Sequence, residues 1–414
     1  MTDLANAPVE IEISGERIIG DWRGADPFQP NFRDDPYPAL NRLRETDPVN
    51  LTPVGTWRIC RFDDIESVFR KAKTSMTLSD GSAPNFDPLD KRGSFLDFML
   101  NKDGEHHYRL RKLALKALTA KTVKAMEVSV EDAADQAMVR ARAAGGMDVI
   151  EELARYIPSR MICHIMGIPD SDREKFIGWT AARTNAFFGR FLPPEVQAAT
   201  RQAGEEMADY FDYLVKVRCS DLQDDLISQF IASEVDGERL TPEEVAIQAI
   251  GLITAGFETT IGLIGNGVRA LVEHPDELRA LRNDPNLVES CVRECLRFDP
   301  PVLFNWRILE EPFEVGGRVL PSDSVLWLML ASGNHDPRRF ADPENFLIDR
   351  KDGGHISFGG GAHVCLGNNL ARMEARHAFR ALVQSTAGLK IEAAPVEWSA
   401  SFFRVMDAYR LSFQ

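Results

Sequence analysis

The stretch FGGGAHVCLGNNLARME, residues 358–374, sets one of the chain's six cysteines between a glycine run and a segment that reads as helix. A cysteine just ahead of a helix N-terminus has its thiolate favoured by backbone N–H groups and by the helix dipole. Glycines before it let the backbone approach something flat and bulky, and Gly367 permits a tight entry into the helix. Zinc, an iron–sulfur cluster and haem iron are the three partners to weigh. Zinc and clusters take several thiolates or histidines at short spacing. Here His363 and Cys365 stand alone, and no CxxC occurs. Haem iron needs one axial cysteine. An inert buried cysteine would not ask for the frame F-x-x-G-x-H-x-C-x-G around it.

Three further constellations carry side chains that could do chemistry. AGFETT, residues 255–260, puts an acid and an alcohol side by side in an apolar run. An isolated buried carboxylate is expensive unless it is hydrogen-bonded or protonated, so Glu258 and Thr259 point to function. ECLR, residues 294–297, sets Glu294 and Arg297 at i,i+3, where they share one helix face and can meet. His107 and Arg111 stand at i,i+4 in HHYRLRKLALKAL. Read alone, the last two patterns are common on ordinary solvated helices.

The elements that must position these residues are mainly helical. Helical periodicity dominates from about Glu105 to Phe298, with breaks at IPDSDRE and FLPPE. Strand patterns occur at TWRICRF and at FEVGGRVLPSDSVLWLML, where Gly316-Gly317 suits a two-residue hairpin turn. Between Glu244 and Arg269 the only charge is Glu258, a length that would cross a bilayer. Yet Thr241, Pro242 and Glu244 form an N-cap, a first-turn proline and a capping box, and polar side chains follow. The segment is expected to be a long helix buried within a large globular fold. No repeat, low-complexity tract or Gly/Ser linker divides the chain. The fold class expected is mainly α: one large helical domain over residues 1–414 with small β-sheets.

Composition narrows the class. The chain has 414 residues and a net charge of −15, which argues against nucleic-acid binding and against attraction to anionic membranes. Scattered cysteines and the absence of an apolar N-terminal leader imply reduced thiols in a cytoplasm.

Phe358, Gly361, His363, Cys365 and Gly367 resemble the haem-binding loop of the cytochrome P450 family in its bacterial soluble form. The resemblance implies a haem-thiolate monooxygenase with haem b as cofactor and Cys365 as the axial iron ligand. It implies that Ala255 and Gly256 leave room for dioxygen, while Glu258 and Thr259 deliver protons to it. Glu294 and Arg297 resemble the family's E-x-x-R pair, a structural element. The family often adds a third basic residue near DPENF, where Asn345 stands instead. His107, Arg111, Arg307, His355 and His363 match family contacts to the haem propionates. By family position the substrate pocket would be lined by Phe86, Phe95, Phe98, Met99, Phe187, Phe188, Leu252, Leu303, Phe304, Asn305 and Phe402. Ala255 joins them, and Asn305 is the one polar anchor. Such a lining suits a hydrophobic terpenoid, steroid or aromatic molecule.

Electrons would come from NAD(P)H through a separate ferredoxin reductase and ferredoxin, since the chain ends soon after the last family element. Arg109, Lys112 and Arg372 would offer a basic dock. A cytoplasmic monomer is expected. Two rivals are a peroxide-driven peroxygenase and a non-catalytic haem-thiolate gas sensor, and the Glu258-Thr259 pair argues against both.

Overall fold

In a computed structural model the described residues are 9–13, 15–27, 29–83, 97–118, 120–184 and 193–414. The helices that position the candidate site are α1 (Phe62–Lys71), α2 (Gly104–Ala117), α3 (Glu127–Ala144), α4 (Pro242–Glu273), α5 (Val288–Phe298) and α6 (Asn368–Ser385). Among the strands are β1 (Val49–Leu51), β2 (Trp57–Ile59), β3 (Thr74–Ser75), β4 (Glu234–Val235), β5 (Glu238–Arg239), β6 (Asn305–Leu309) and β7 (Val325–Leu328). The chain divides into two compact units. One comprises Met1–Pro84, Glu273–Cys365 and Trp398–Arg404, and the other Asn85–Val272, Leu366–Glu397 and Val405–Gln414.

The first unit is built on a five-stranded sheet in the order β1-β2-β7-β6-β3, with β7 parallel to β2 and antiparallel to β6. Trp57, Ile59, Leu309, Leu326 and Leu328 form its buried core with Ile65 and Val68 of α1. The Gly316-Gly317 turn is present as expected, with φ of +57° and +78°, between strands Phe313–Val315 and Arg318–Leu320. Two positive φ values in succession make a primed turn that matches the strand twist.

The second unit is mainly helical, and α4 is its longest element. Its start is the expected capping box: Glu244 N–H donates to Thr241 Oγ1 at 3.1 Å, and Thr241 N–H donates to Glu244 Oε2 at 2.8 Å. Helix α4 is long and apolar enough to cross a membrane, yet most of it is buried inside the protein. Helix α6 packs along α3, burying Met373, Glu374, Ala375, His377, Ala378 and Phe379.

Candidate active site

In the first unit the cysteine loop lies on Phe69 of α1. A Cβ on Gly360 would stand 2.9 Å from the Phe69 Cβ, and one on Gly361 would stand 2.7 Å from the Phe69 carbonyl oxygen. Gly359 and Gly361 also hold φ of +69° and +67°, a region costly to residues with a Cβ. Glycine is therefore required here by contact and by backbone shape together. Cys365 N–H donates to Phe358 C=O at 2.9 Å and closes the loop. Cys365 is half-buried and lies three residues ahead of α6. Burial pushes the Cys60 and Cys163 thiols up to about 12 and about 11, and it raises that of Cys295 as well. Those three are packing residues.

Arg307 of β6 is buried in the same unit. Its guanidinium lies 5.4 Å from the Phe69 ring, and its Nη1 donates to Trp306 C=O at 2.6 Å. Phe69 thus supports the loop on one side and Arg307 on the other, a role no sequence pattern announced. The Asn305 Oδ1 accepts from Trp306 N–H at 2.8 Å and from Arg307 Nη1 at 3.2 Å. Asn305 therefore positions Arg307, and that oxygen is committed within the strand. His355 Nδ1 accepts from Ser357 N–H at 3.2 Å. That bond fixes the tautomer with the proton on Nε2, so the ring's other nitrogen is a donor. The His355 ring lies 5.5 Å from that of Phe358. His363 sits in the short 3₁₀ turn Gly361–His363, two residues before the cysteine.

Glu294 and Arg297 meet as the i,i+3 spacing requires, both buried. Arg297 Nε and Nη2 donate to the two Glu294 oxygens at 2.8 and 2.7 Å. The third basic member exists, but at Arg350. Its Nε stands 3.1 and 3.2 Å from the same two oxygens. Asn345 contributes only its carbonyl, which accepts from Arg297 at 3.0 Å and from Arg350 at 2.8 Å. The connection from α5 to the cysteine loop runs through Ser357, whose Oγ donates to Leu296 C=O at 2.5 Å and accepts from Asn334 at 2.8 Å.

Leu303 and Phe304 are buried in this unit, and the Phe304 ring packs 4.7 Å from Trp327 and 5.2 Å from Phe402. Phe304 is a core residue here, with Phe402 against its edge.

In the second unit α4 carries the acid–alcohol pair. From Val245 to Ala270 the helix is buried except at Leu252, Ala255, Gly256, Glu258, Thr259 and Arg269. Leu252, Ala255, Gly256 and Thr259 stand at i, i+3, i+4 and i+7, one stripe on one face. A Cβ added to Gly256 would meet nothing within 4 Å. An otherwise buried helix thus opens along the stripe that bears the reactive hydroxyl. Thr259 Oγ1 donates to Ala255 C=O at 2.9 Å, and Thr260 Oγ1 donates to Gly256 C=O at 2.8 Å. One turn earlier, Phe98 packs on Gly251, where a Cβ would fall 2.2 Å from the ring. Met99 N–H donates to Gln248 Oε1 at 3.1 Å, which pins this segment to α4. Phe98 and Met99 are both buried. Phe86, Phe95, Phe187 and Phe188 lie outside the described residues.

His107 and Arg111 stand one turn apart on α2, His107 buried and Arg111 half-buried. The three residues expected to form a basic dock, Arg109, Lys112 and Arg372, each have partners within this unit. Arg109 Nη1 and Nη2 each donate to Glu244 at 2.9 Å, and Lys112 pairs with Asp236 at 2.6 Å. Arg372 donates to Asn368 at 3.1 Å on its own helix.

The donor chemistry fits a haem. The loop offers a single half-buried thiolate ligand on a glycine cradle that no side chain could occupy. Among the described residues no group of three His, Cys, Asp or Glu side chains could hold a bare metal ion. An iron that brings its own in-plane ligands needs only Cys365, and Arg307 and the His355 Nε2–H are donors of the kind that carboxylate groups require.

Comparison with known proteins agrees. A sequence model of the family described as Cytochrome P450 matches residues 51–386. The chain is 35% identical over 376 residues to the cytochrome P450 monooxygenase PikC of Streptomyces venezuelae, covering 89% of this chain and 88% of that one. It is 33% identical over 360 residues to the vitamin D(3) 25-hydroxylase of Pseudonocardia autotrophica, covering 86% and 87%. The solved structure of the bacillaene polyketide synthase cytochrome P450 PksS of Bacillus subtilis superposes with a TM-score of 0.86 at 30% identity, covering 94% of this chain and 99% of that one. With the glycine-cradled cysteine, the buried E-x-x-R pair and matches of this extent, the chain belongs to the cytochrome P450 family of haem b-dependent monooxygenases.

Proposed function

We propose that this monooxygenase inserts one oxygen atom of O2 into a C–H bond of a hydrophobic small molecule of steroid or polyketide type. The open stripe on α4 carries the proposal: Leu252, Ala255, Gly256 and Thr259 are accessible along one face of a helix that is buried over most of its length. Haem, when bound, supplies the redox chemistry that activates dioxygen. The chain supplies the rest. Cys365 would hold the iron, and Arg307, His355, His107, Arg111 and His363 would serve the haem carboxylates. Thr259 Oγ1 carries an exchangeable proton, now donated to the Ala255 carbonyl, and Glu258 beside it is assigned as the source that replenishes it. Ala255 and Gly256 keep side-chain bulk off the stripe. Leu252 presents the apolar surface, with Phe98 and Met99 fixed behind it on α4.

The relatives' names support the substrate class, since one acts on vitamin D(3) and another belongs to a polyketide synthase. The stripe itself carries no charged side chain, which favours an apolar substrate. Electrons are assigned to a separate ferredoxin and its NAD(P)H-dependent reductase, in the cytoplasm. The whole of residues 1–414 is proposed to work as one functional domain.

The test is the spectrum of the reduced, carbon monoxide-bound protein, followed by titration with steroids and macrolides. A thiolate-type Soret band and a substrate-induced spin shift are expected. A folded, haem-supplied protein without that band would end the proposal.

A further inference from the structure

Gln248 and Gly251 share the face of α4 that bears the open stripe, and they lie just before it. From Gln248 the positions Gly251, Leu252, Ala255, Gly256 and Thr259 follow at i+3, i+4, i+7, i+8 and i+11, the spacing of a single helix face. That face is accessible at its four positions from Leu252 onward and buried at Gly251 and Gln248. Its two glycines differ accordingly. A Cβ on Gly256 would meet nothing within 4 Å, whereas one on Gly251 would fall 2.2 to 2.6 Å from three atoms of the Phe98 ring. Phe98 occupies the space that a side chain at position 251 would fill, and the stripe closes there.

More than that contact holds Phe98. The fully buried side-chain amide of Gln248 grips the backbone on both sides of it. Its Nε2 donates to Asp97 C=O at 3.3 Å, and its Oε1 accepts from Met99 N–H at 3.1 Å. The segment is also closed on itself: Asn101 N–H donates to Phe98 C=O at 2.9 Å, and Lys102 Nζ pairs with Asp97 Oδ1 at 2.6 Å. Phe98, Met99 and Asn101 are all buried. Moving Phe98 off Gly251 would strand the Gln248 amide and the Met99 N–H in the interior without partners, which is costly. The ring is therefore fixed by hydrogen bonds as well as by packing.

We infer that Phe98 is the stop that ends a substrate's reach along α4, and that Gln248 is the positioning residue that sets it. The molecule that fits runs its apolar skeleton beside Leu252, Ala255 and Gly256 and ends against the Phe98 ring. Gln248 commits its amide to backbone groups, and Gly251, Leu252 and Phe98 carry no polar side-chain atom, so this end of the site selects by length and not by charge. This inference rests on the monooxygenase reading and deepens it, naming the dimension of the substrate that is measured and the residues that measure it.

The experiment titrates the full-length haem protein with n-alkylimidazoles of increasing chain length, which report binding through the Soret band. Each methylene laid against the stripe should lower the Kd by about three- to fourfold, the scale of one buried CH2, until the chain meets Phe98 and the gain stops. Phe98→Leu should move the stopping length up by a small step and Phe98→Ala by a larger one. The longest chains should then bind Phe98→Ala about tenfold tighter than the parent protein. Gln248→Met keeps the length of the side chain and removes both hydrogen bonds. It should let long chains gain affinity while short chains bind as before. A stopping length that is the same in the parent and in the Phe98 variants overturns the stop, and Phe98→Leu decides this alone where the larger truncation does not fold. A Gln248→Met variant that weakens every chain length equally overturns Gln248 as its positioning residue. The reduced carbon monoxide band depends on Cys365 and not on Phe98 or Gln248, so a failure of the haem-thiolate reading would be seen there separately.

Discussion

Glu294 in the first unit and Asp236 in the second are both carboxylates that hold basic side chains, and they are built for opposite ends. Glu294 is buried, faces Arg297 and Arg350 with both oxygens, and accepts the Leu347 N–H at 3.0 Å as well. Asp236 rides a solvent-exposed turn and meets one lysine. A carboxylate and two guanidiniums out of water are expensive singly and stable only together. A carboxylate in water costs little to place and little to lose. The same pair of charge types therefore makes a rigid brace in one unit and an exchangeable contact in the other.

The comparison can be broken most severely at the cysteine loop that the brace supports. Cys365→Ala should abolish turnover and the thiolate-type carbon monoxide band while circular dichroism shows the fold retained; normal turnover would remove Cys365 from the mechanism. Next in size, Glu294→Gln should destabilise the protein by about 3–5 kcal/mol, because Arg297 and Arg350 would stay buried without their counter-charge. Chemical denaturation reads this directly, and a loss no larger than that of Asp236→Asn would dissolve the contrast. Asp236→Asn itself should leave the unfolding midpoint unchanged.

A buried carboxyl in the second unit gives the contrast a pH axis. Burial raises the Glu374 carboxyl to about 8, from an ordinary 4.5. The folded protein keeps this proton while the unfolded chain releases it above about pH 4.5. Each pH unit from there to about 8 therefore favours unfolding, by about 1.4 kcal/mol at most, and above the folded value the slope ends. Glu374→Gln should flatten the stability profile between pH 5.5 and 8; equal slopes for both proteins would refute the assignment. Smaller in stability but specific in chemistry, Thr259→Ala should leave the midpoint nearly unchanged while more of the electrons consumed appear as hydrogen peroxide. Unaltered coupling would remove Thr259 from proton delivery.

The features legible in the sequence are those whose partners lie close along the chain. The capping box of α4, the Gly316-Gly317 turn, the Glu294–Arg297 pair and the glycine frame of Cys365 all depend on spacings of a few residues. Those that escaped depend on distant pairs or on backbone atoms. Arg350 meets Glu294 from 56 residues away, with several strands between them, whereas Asn345, where a third basic residue is expected, supplies only a carbonyl. Lys112 and Asp236 lie 124 residues apart, and the two-residue strands around Asp236 are too short and polar to show a period. Phe69 looks like any apolar residue of an amphipathic helix, and its carbonyl and ring matter only because three glycines lie upon them. The packing of Phe304 on Trp327 and of Phe98 on Gly251 likewise joins residues far apart along the chain.

Gly256 has a consequence for how such a protein changes over generations. In a helix alanine is preferred to glycine by about 1 kcal/mol, and here its methyl would strike nothing within 4 Å. Gly256→Ala is thus a single step toward a sturdier helix, and it adds one methyl to the open stripe as it does so. Robustness and roominess are opposed at this position, and selection for a bulkier or slimmer molecule can act there without disturbing the rest of the helix.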